Sequence, residues 1–257
     1  MLVAADNLNA LNPVLAAALK HLEKGPIQDL VRRLDQAGVD LIDLNPGYLA
    51  PRHVDQMAFL VEAVQEVSTT RLILDSPNPR VLAAGLAVCR QPPILNALTL
   101  EENKLKEILP LAVAAQTDLV LLLLDERSMP PPGLEDKITL AAHLRHEALA
   151  GGMAEHRLIY DPVLPHLSWP DVYYQTTAVV HSVRLLASGA LFGEPARTMA
   201  GLSNLRSGRR RIYPPELEAA CLGLLAGAGL GIVLLDALQP DLLRQVHLVQ
   251  QVLRERP

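Results

Sequence analysis

The sequence predicts an α/β fold, a single (β/α)8 TIM barrel, and three observations carry that prediction. Short apolar runs are closed again and again by Asp or Asn: Leu41-Ile42-Asp43-Leu44-Asn45, Leu72-Ile73-Leu74-Asp75, Ile94-Leu95-Asn96, Leu158-Ile159-Tyr160-Asp161 and Gly201-Leu202-Ser203-Asn204. Segments of helical period alternate with those runs, the pattern of a parallel sheet wrapped by helices. The length, 257 residues, is that of one such barrel. A carboxylate at the end of a buried strand is costly unless something pairs with it. A barrel collects the C-terminal ends of its strands on one face, so these groups would form a common polar floor there.

Each element follows in order. The run 2–5 ends in Asp6, with Asn7 and Asn9 after it, and reads as the first strand and its loop. Apolar residues at Ile27, Leu30, Val31 and Leu34 give a helix over 26–38 that ends at a glycine. Strand two is 41–45, a helix covers 54–67, and strand three is 70–74, closed by Asp75 in RLILDSPNPR at 71–80. Pro79 suits the first turn of a helix over 79–89, and strand four is 93–96. A helix over 100–115 precedes strand five, 119–124, which runs into Asp125 and the proline-rich loop ERSMPPPG at 126–133. Helix 134–149, strand 157–161 and helix 170–187 come next. Segments 198–203, 214–226, 231–235 and 240–254 complete the seventh and eighth units. No interdomain linker interrupts the alternation, so one domain spans 1–257.

Composition narrows the classes of function. Half of the residues are hydrophobic but only 3% aromatic, so the core is built from Leu, Val, Ile and Ala. A net charge of -5 argues against nucleic acid as a partner, since a phosphate-tracking surface needs clustered positive charge. One basic cluster stands out, Arg206, Arg209, Arg210 and Arg211, which reads either as an anion-binding rim after the seventh strand or as a solvated loop with no ligand. Cys89 and Cys221 lie in apolar helical contexts without CxxC spacing, which suits buried thiols in a reducing cytoplasm. The N-terminus lacks the pattern of a secretory signal. The charge-free run 219–235 is broken by Gly223, Gly227, Gly229 and Gly231, and reads as helix, turn and strand rather than a membrane span. His143 and His146 share a helix face with no third ligand near, and no metal is assigned.

Asp75, Asn96 and Asp161 together offer two carboxylate acceptors and one amide that both donates and accepts. A flat heterocycle with an aminopyrimidinone edge, such as a pterin or guanine, presents the complementary N–H groups. Acidic strand ends also occur in barrels that bind metals or sugars, and any one Asp or Asn here could instead be a helix cap or turn former.

DLNPG at 43–47, LDSPN at 74–78, Leu95-Asn96, YDP at 160–162 and GLSN at 201–204 resemble, in order and spacing, the motifs of the pterin-binding family. Within it the chain is most similar to the methyltetrahydrofolate:corrinoid methyltransferases, nearly end to end, including EVSTTRLILDSPNPRVLAAGL at 66–86 and KEILPLAV at 106–113. The resemblance implies a cytoplasmic, usually homodimeric barrel. Residues matching Asp43, Asn45, Asp75, Asn78, Asn96, Asp161, Ser203, Asn204 and Arg206 would bind methyltetrahydrofolate or tetrahydrofolate. Asn204 and Asp161 would be catalytic, with Asn204 near the methyl-bearing ring nitrogen. The methyl group would pass to or from the cobalt of a corrinoid (cobalamin). The chain has no DxHxxG motif, so that corrinoid would come with a partner protein.

The chain departs from the family pattern at Asp6, Asn7, Ala97 and Arg206, around the corrinoid-facing rim. Two other readings are therefore carried. One is a dihydropteroate synthase-like enzyme, which would place a basic SRK-type motif where this chain has Ser203-Asn204. The other is a noncatalytic pterin-binding or corrinoid-docking subunit.

Overall fold

A computed structural model describes residues 1–48, 53–206, 213–214 and 216–254. Eight strands, β1 (Leu2–Asn9), β2 (Leu41–Asn45), β3 (Arg71–Asp75), β4 (Ile94–Leu98), β5 (Asp118–Leu122), β6 (Leu158–Asp161), β7 (Arg197–Gly201) and β8 (Ile232–Leu235), close in sequence order into an all-parallel barrel. Around it lie α1 (Pro13–His21), α2 (Lys24–Gln36), α3 (Asp55–Gln65), α4 (Pro79–Leu86), α5 (Glu102–Ala114), α6 (Leu134–Ala150), α7 (Val172–Ala187), α8 (Glu216–Ala228) and α9 (Pro240–Arg254). The expected (β/α)8 barrel is the observed one.

Alternation along the strands builds two cores. One parity faces the helices, and its Leu, Val and Ala side chains merge with the apolar stripes of α2, α3 and α6. The other parity faces the barrel axis, where Ala4, Leu41, Ile73, Ile94, Val120, Ile159, Met199 and Ile232 fill the interior. Below that layer the barrel is closed by charge. Asp118, at the first position of β5, receives Arg71 at 3.0 Å and Arg197 at 2.8 Å, with Arg157 at 3.7 Å. These arginines also donate to the carbonyls of Pro92, Pro93, Gln116 and His156, so the plug stitches together the starts of five strands, β3 to β7.

Several boundaries differ from the sequence reading. β1 continues to Asn9, and α1 lies in a stretch that had no assignment. Its signal was local: Asn12 caps the helix by accepting from Val14 N at 3.0 Å, Pro13 follows, and the buried stripe is only Leu15, Ala18 and Leu19. β5 stops at Leu122 rather than 124, because Asp125 instead accepts from the amides of Arg127 and Met129 in the following turn. β7 ends at Gly201, and residues Leu202–Arg206 form a 3-10 turn. The glycine-broken run is α8, a left-handed Gly229 (φ 102) and β8, and none of the described helices is long and apolar enough to cross a membrane.

Candidate active site at the barrel mouth

One step above the apolar interior layer, the same parity delivers polar groups. Ala4 is followed by Asp6, Leu41 by Asp43, Ile73 by Asp75, Ile94 by Asn96 and Ile159 by Asp161. Strand register sets Asp75 beside Asn96 and Asp161 beside Leu122. Asp6, Asp43, Asn96 and Asp161 are buried, and Asp75 is half-buried. The corresponding positions of β5, β7 and β8 are Leu122, Gly201 and Leu234. The mouth thus has an acidic arc over β1–β4 and β6, interrupted by β5, and apolar or small positions elsewhere. Such a site suits a planar ring that needs acceptors along one edge and carbon against its face.

Asn45 and Asp75 form the best-defined pair. Asn45 Nδ2 donates to Asp75 Oδ2 at 2.8 Å, while Asn45 Oδ1 accepts from Gly47 N at 3.0 Å, so the amide is locked with its donor toward the carboxylate. Asp43 Oδ1 is buried with no hydrogen-bond partner among the described residues. Burial, then Asp75 and then Asp6, push the Asp43 carboxyl well above the usual range. Burial likewise raises Asp75 to about 7, opposed by the Asn45 hydrogen bond and assisted by Asp161. Asp161 is raised by burial to about 6, with the Val163 amide and Lys137 pulling it down. Among the described residues no cation acts on Asp43 or Asp75 to offset their burial, whereas Lys137 acts on Asp161.

Asp161 sits on an unusual turn. Val163 N donates to Asp161 Oδ1 at 2.8 Å, and Val163 does so from the left-handed region at φ 58. For a β-branched residue that conformation costs on the order of 1–3 kcal/mol and must be imposed by its surroundings. Behind the turn, the fully buried Lys137 of α6 donates from Nζ to Pro162 O at 2.8 Å. Sequence reasoning missed Lys137, although it shares the buried stripe of α6 with Leu140, Ala141, Leu144 and Ala148, where a lysine is out of place.

Other expected site residues divide. Asn204 is exposed in the 3-10 turn after β7, and its amide nitrogen lies 3.5 Å from where a Gly201 Cβ would stand, which folds it back over the mouth. Ser203 beside it is half-buried. Asn78 caps α4, accepting from Arg80 N at 3.0 Å. Asn7 ties β1 to the end of β8, donating to Asp236 at 2.5 Å and accepting from Ala237 N at 2.9 Å. Arg206, expected on an open anion-binding rim or a solvated loop, is instead buried against Glu218 of α8 at 3.1 Å. A guanidinium buried against the carboxylate of a neighbouring helix cannot also face solvent. Arg209, Arg210 and Arg211 lie outside the described residues. Beside the acidic arc a cleft of about 430 Å³ opens between the loops after β2, β3, β4 and β5, lined in part by Tyr48, Ser76, Asn78, Glu101 and Lys104. Cys89 and Cys221 are raised by burial to about 11 and about 12, which removes both as nucleophiles at neutral pH.

Compared with solved structures, the chain has the fold of the dihydropteroate synthases. A Yersinia pestis enzyme of that kind, with a pterine-sulfa conjugate, matches with TM-score 0.71 and 18% identity over 99% of this chain and 94% of that one. The 7,8-dihydropteroate synthase from Vibrio fischeri matches with TM-score 0.68 and 18% identity over 99% and 93%. At that identity the likeness shows the fold alone. By sequence, the chain is similar to a methylcorrinoid:tetrahydrofolate methyltransferase of Eubacterium limosum, 26% identical over 211 residues, 77% of this chain and 78% of that protein. The resemblance drawn from the motifs is thus met by a relative of the same description. No family model matches the chain.

Proposed function

We propose that the chain is a methyltransferase that moves a methyl group between methyltetrahydrofolate and the cobalt of a corrinoid carried by a partner protein. The observation that carries this reading is the set Asp75, Asn96 and Asp161 at the barrel mouth, with apolar Leu122 beside Asp161 and Leu234 at the same level of β8. It supports a pterin because the ring's exocyclic amine and ring N–H groups need acceptors, and Asp75 and Asp161 each have one oxygen engaged by Asn45 or Val163 and a second that could accept. The similarity to the Eubacterium limosum methyltransferase supports the corrinoid half.

In this mechanism Asp75 and Asp161 accept from the pterin edge, and Asn45 holds Asp75 in place. Asn96 offers both a donor and an acceptor, and Asn78 caps α4 through its side-chain oxygen while also lining the cleft. Burial and the neighbouring carboxylates favour the protonated form of Asp43, in which its hydroxyl would donate where its neighbours accept. A corrinoid held by the partner protein would supply the cobalt that gives or takes the methyl group. When the carbon–nitrogen bond breaks, its electron pair stays on nitrogen, which must take up a proton to be a tolerable leaving group. An amide cannot provide that proton at neutral pH, so Asn204 stabilises the protonating nitrogen by hydrogen bonding while the proton arrives through water.

The direct test is incubation of the protein with methyltetrahydrofolate and reduced free cobalamin, read as methylcobalamin by absorbance. Transfer supports the proposal, whereas tight folate binding without transfer would favour a noncatalytic pterin-binding subunit. A dihydropteroate synthase-like activity is disfavoured by the β7 end, where Ser203 and Asn204 stand and the nearest arginine is buried with Glu218. Asn204→Ala is expected to slow single-turnover methyl transfer by about 10- to 100-fold while changing folate affinity by less than about threefold. Equal losses in rate and affinity would make Asn204 a binding residue only.

Binding should also depend on pH in a defined direction. A pterin that donates to Asp75 and Asp161 favours their ionised forms, so folate affinity is expected to fall as pH drops through about 7 and again through about 6. Near pH 7 binding should release protons, measurable by calorimetry in buffers of different ionisation enthalpy. Affinity that is flat from pH 5 to 8 would remove these carboxylates from the contact.

A further inference from the structure

We propose that Lys137 is a positioning residue for Asp161, acting through the strained turn between them. The inference rests on the folate reading for its functional meaning, but its physical content does not. Three features converge on β6. Lys137 is fully buried on the inner stripe of α6, and its ammonium donates to the carbonyl of Pro162 at 2.8 Å. Pro162 is followed by Val163 at φ 58, a conformation that Val does not hold unaided. The Val163 amide in turn donates to Asp161 Oδ1 at 2.8 Å and sets which way that carboxylate faces.

Pinning the Pro162 carbonyl fixes the peptide that joins Pro162 to Val163, and so keeps the Val163 N–H aimed at Asp161. The ammonium also acts on the carboxylate by its field: burial lowers Lys137 to about 8, Asp161 opposes that fall, and Lys137 in turn favours the ionised form of Asp161. Facing this pair across the mouth is Asp75, which Asp161 pushes toward the protonated form. Without Lys137, Asp161 would lose its favourable cation among neighbours that are mainly acidic, together with its anchored donor. Burying a lysine where α6 otherwise presents Leu and Ala is costly, and no packing role requires an ammonium there. A role toward Asp161 accounts for it.

The test compares wild type with Lys137→Met, which keeps the length of the stem and removes the charge. In ligand-free protein, the Asp161 carboxyl followed by carbon NMR should titrate about one pH unit higher in Lys137→Met. Hydrogen exchange of the Val163 amide should accelerate about tenfold. Folate affinity should fall about fivefold at pH 6 and change little at pH 8, as expected from that one-unit shift. An unchanged Asp161 titration in folded Lys137→Met would overturn the proposal. Because that readout needs no folate, failure of wild type to bind folate would count against the functional reading and leave this one standing. Val163→Gly provides a check that does not depend on Lys137→Met folding. Glycine adopts this φ freely while alanine does not, so Val163→Gly should melt higher than Val163→Ala with Asp161 titrating as in wild type, and a lower melting temperature than Val163→Ala would show that no strained turn is being held.

Discussion

Asp75→Asn is expected to weaken methyltetrahydrofolate binding by about 30-fold or more and, at the same time, to make the ligand-free protein more stable. The loss of binding follows from replacing a charged acceptor with an amide whose NH₂ end can face a pterin N–H, a change on the order of 2 kcal/mol. The gain in stability follows from the raised pKa. In the unfolded chain Asp75 ionises near pH 4, but in the fold it keeps its proton until about 7. The folded state therefore binds more protons between those values, and stability drains away as pH rises across that window. At about 1.4 kcal/mol per pKa unit, the loss by pH 8 is on the order of 4 kcal/mol, and the asparagine escapes it. Thermal melts should show Asp75→Asn well above wild type at pH 8 and close to it at pH 4. Unaltered folate affinity, or a stability difference independent of pH, would contradict the assignment.

The opposite end of the barrel should respond in the opposite sense. Asp118→Ala is expected to destabilise the protein by about 2–4 kcal/mol without changing folate affinity. Asp118 is nearly buried and draws together Arg71, Arg157 and Arg197, three guanidiniums about a third exposed. Breaking a fully buried ion pair costs about 3–5 kcal/mol, and partial hydration of these arginines trims that figure. For a chain of this length the shift in melting temperature is of order 10 °C. Urea unfolding that shows less than about 0.5 kcal/mol would mean that the carbonyls of Pro92, Pro93, Gln116 and His156 already hold the arginines by themselves. Asp118→Asn keeps the acceptor oxygens in part and should fall between the two.

Much of the barrel could be read in advance because strand periodicity is local. Ile73 and Asp75, or Ile159 and Asp161, are two residues apart, so any parallel sheet that buries the first aims the second along the same axis. What could not be read depends on partners remote in sequence. Asn78 and Asp75 look alike as strand-end polar groups, yet one caps α4 and the other faces the mouth. Arg206 reads as part of a basic cluster, and only the position of Glu218 on α8 reveals it as internal. Asn45 sits among the acceptors in the motif but spends its side chain orienting Asp75. The strain at Val163 leaves no trace in composition, because nothing about a valine signals a left-handed backbone.

The acidic arc also has a directional consequence. Asp6, Asp43, Asp75 and Asp161 surround the axis, and the cation that acts on Asp161 lies behind β6 rather than in the opening. A ligand carboxylate brought within about 5 Å of one ionised aspartate would be repelled by about 3 kcal/mol at an effective dielectric near 20. A molecule with N–H donors at one end and carboxylates at the other is therefore sorted before it touches the floor. Its donor end descends, its anionic end stays at the surface, and the reversed approach is rejected by repulsion alone.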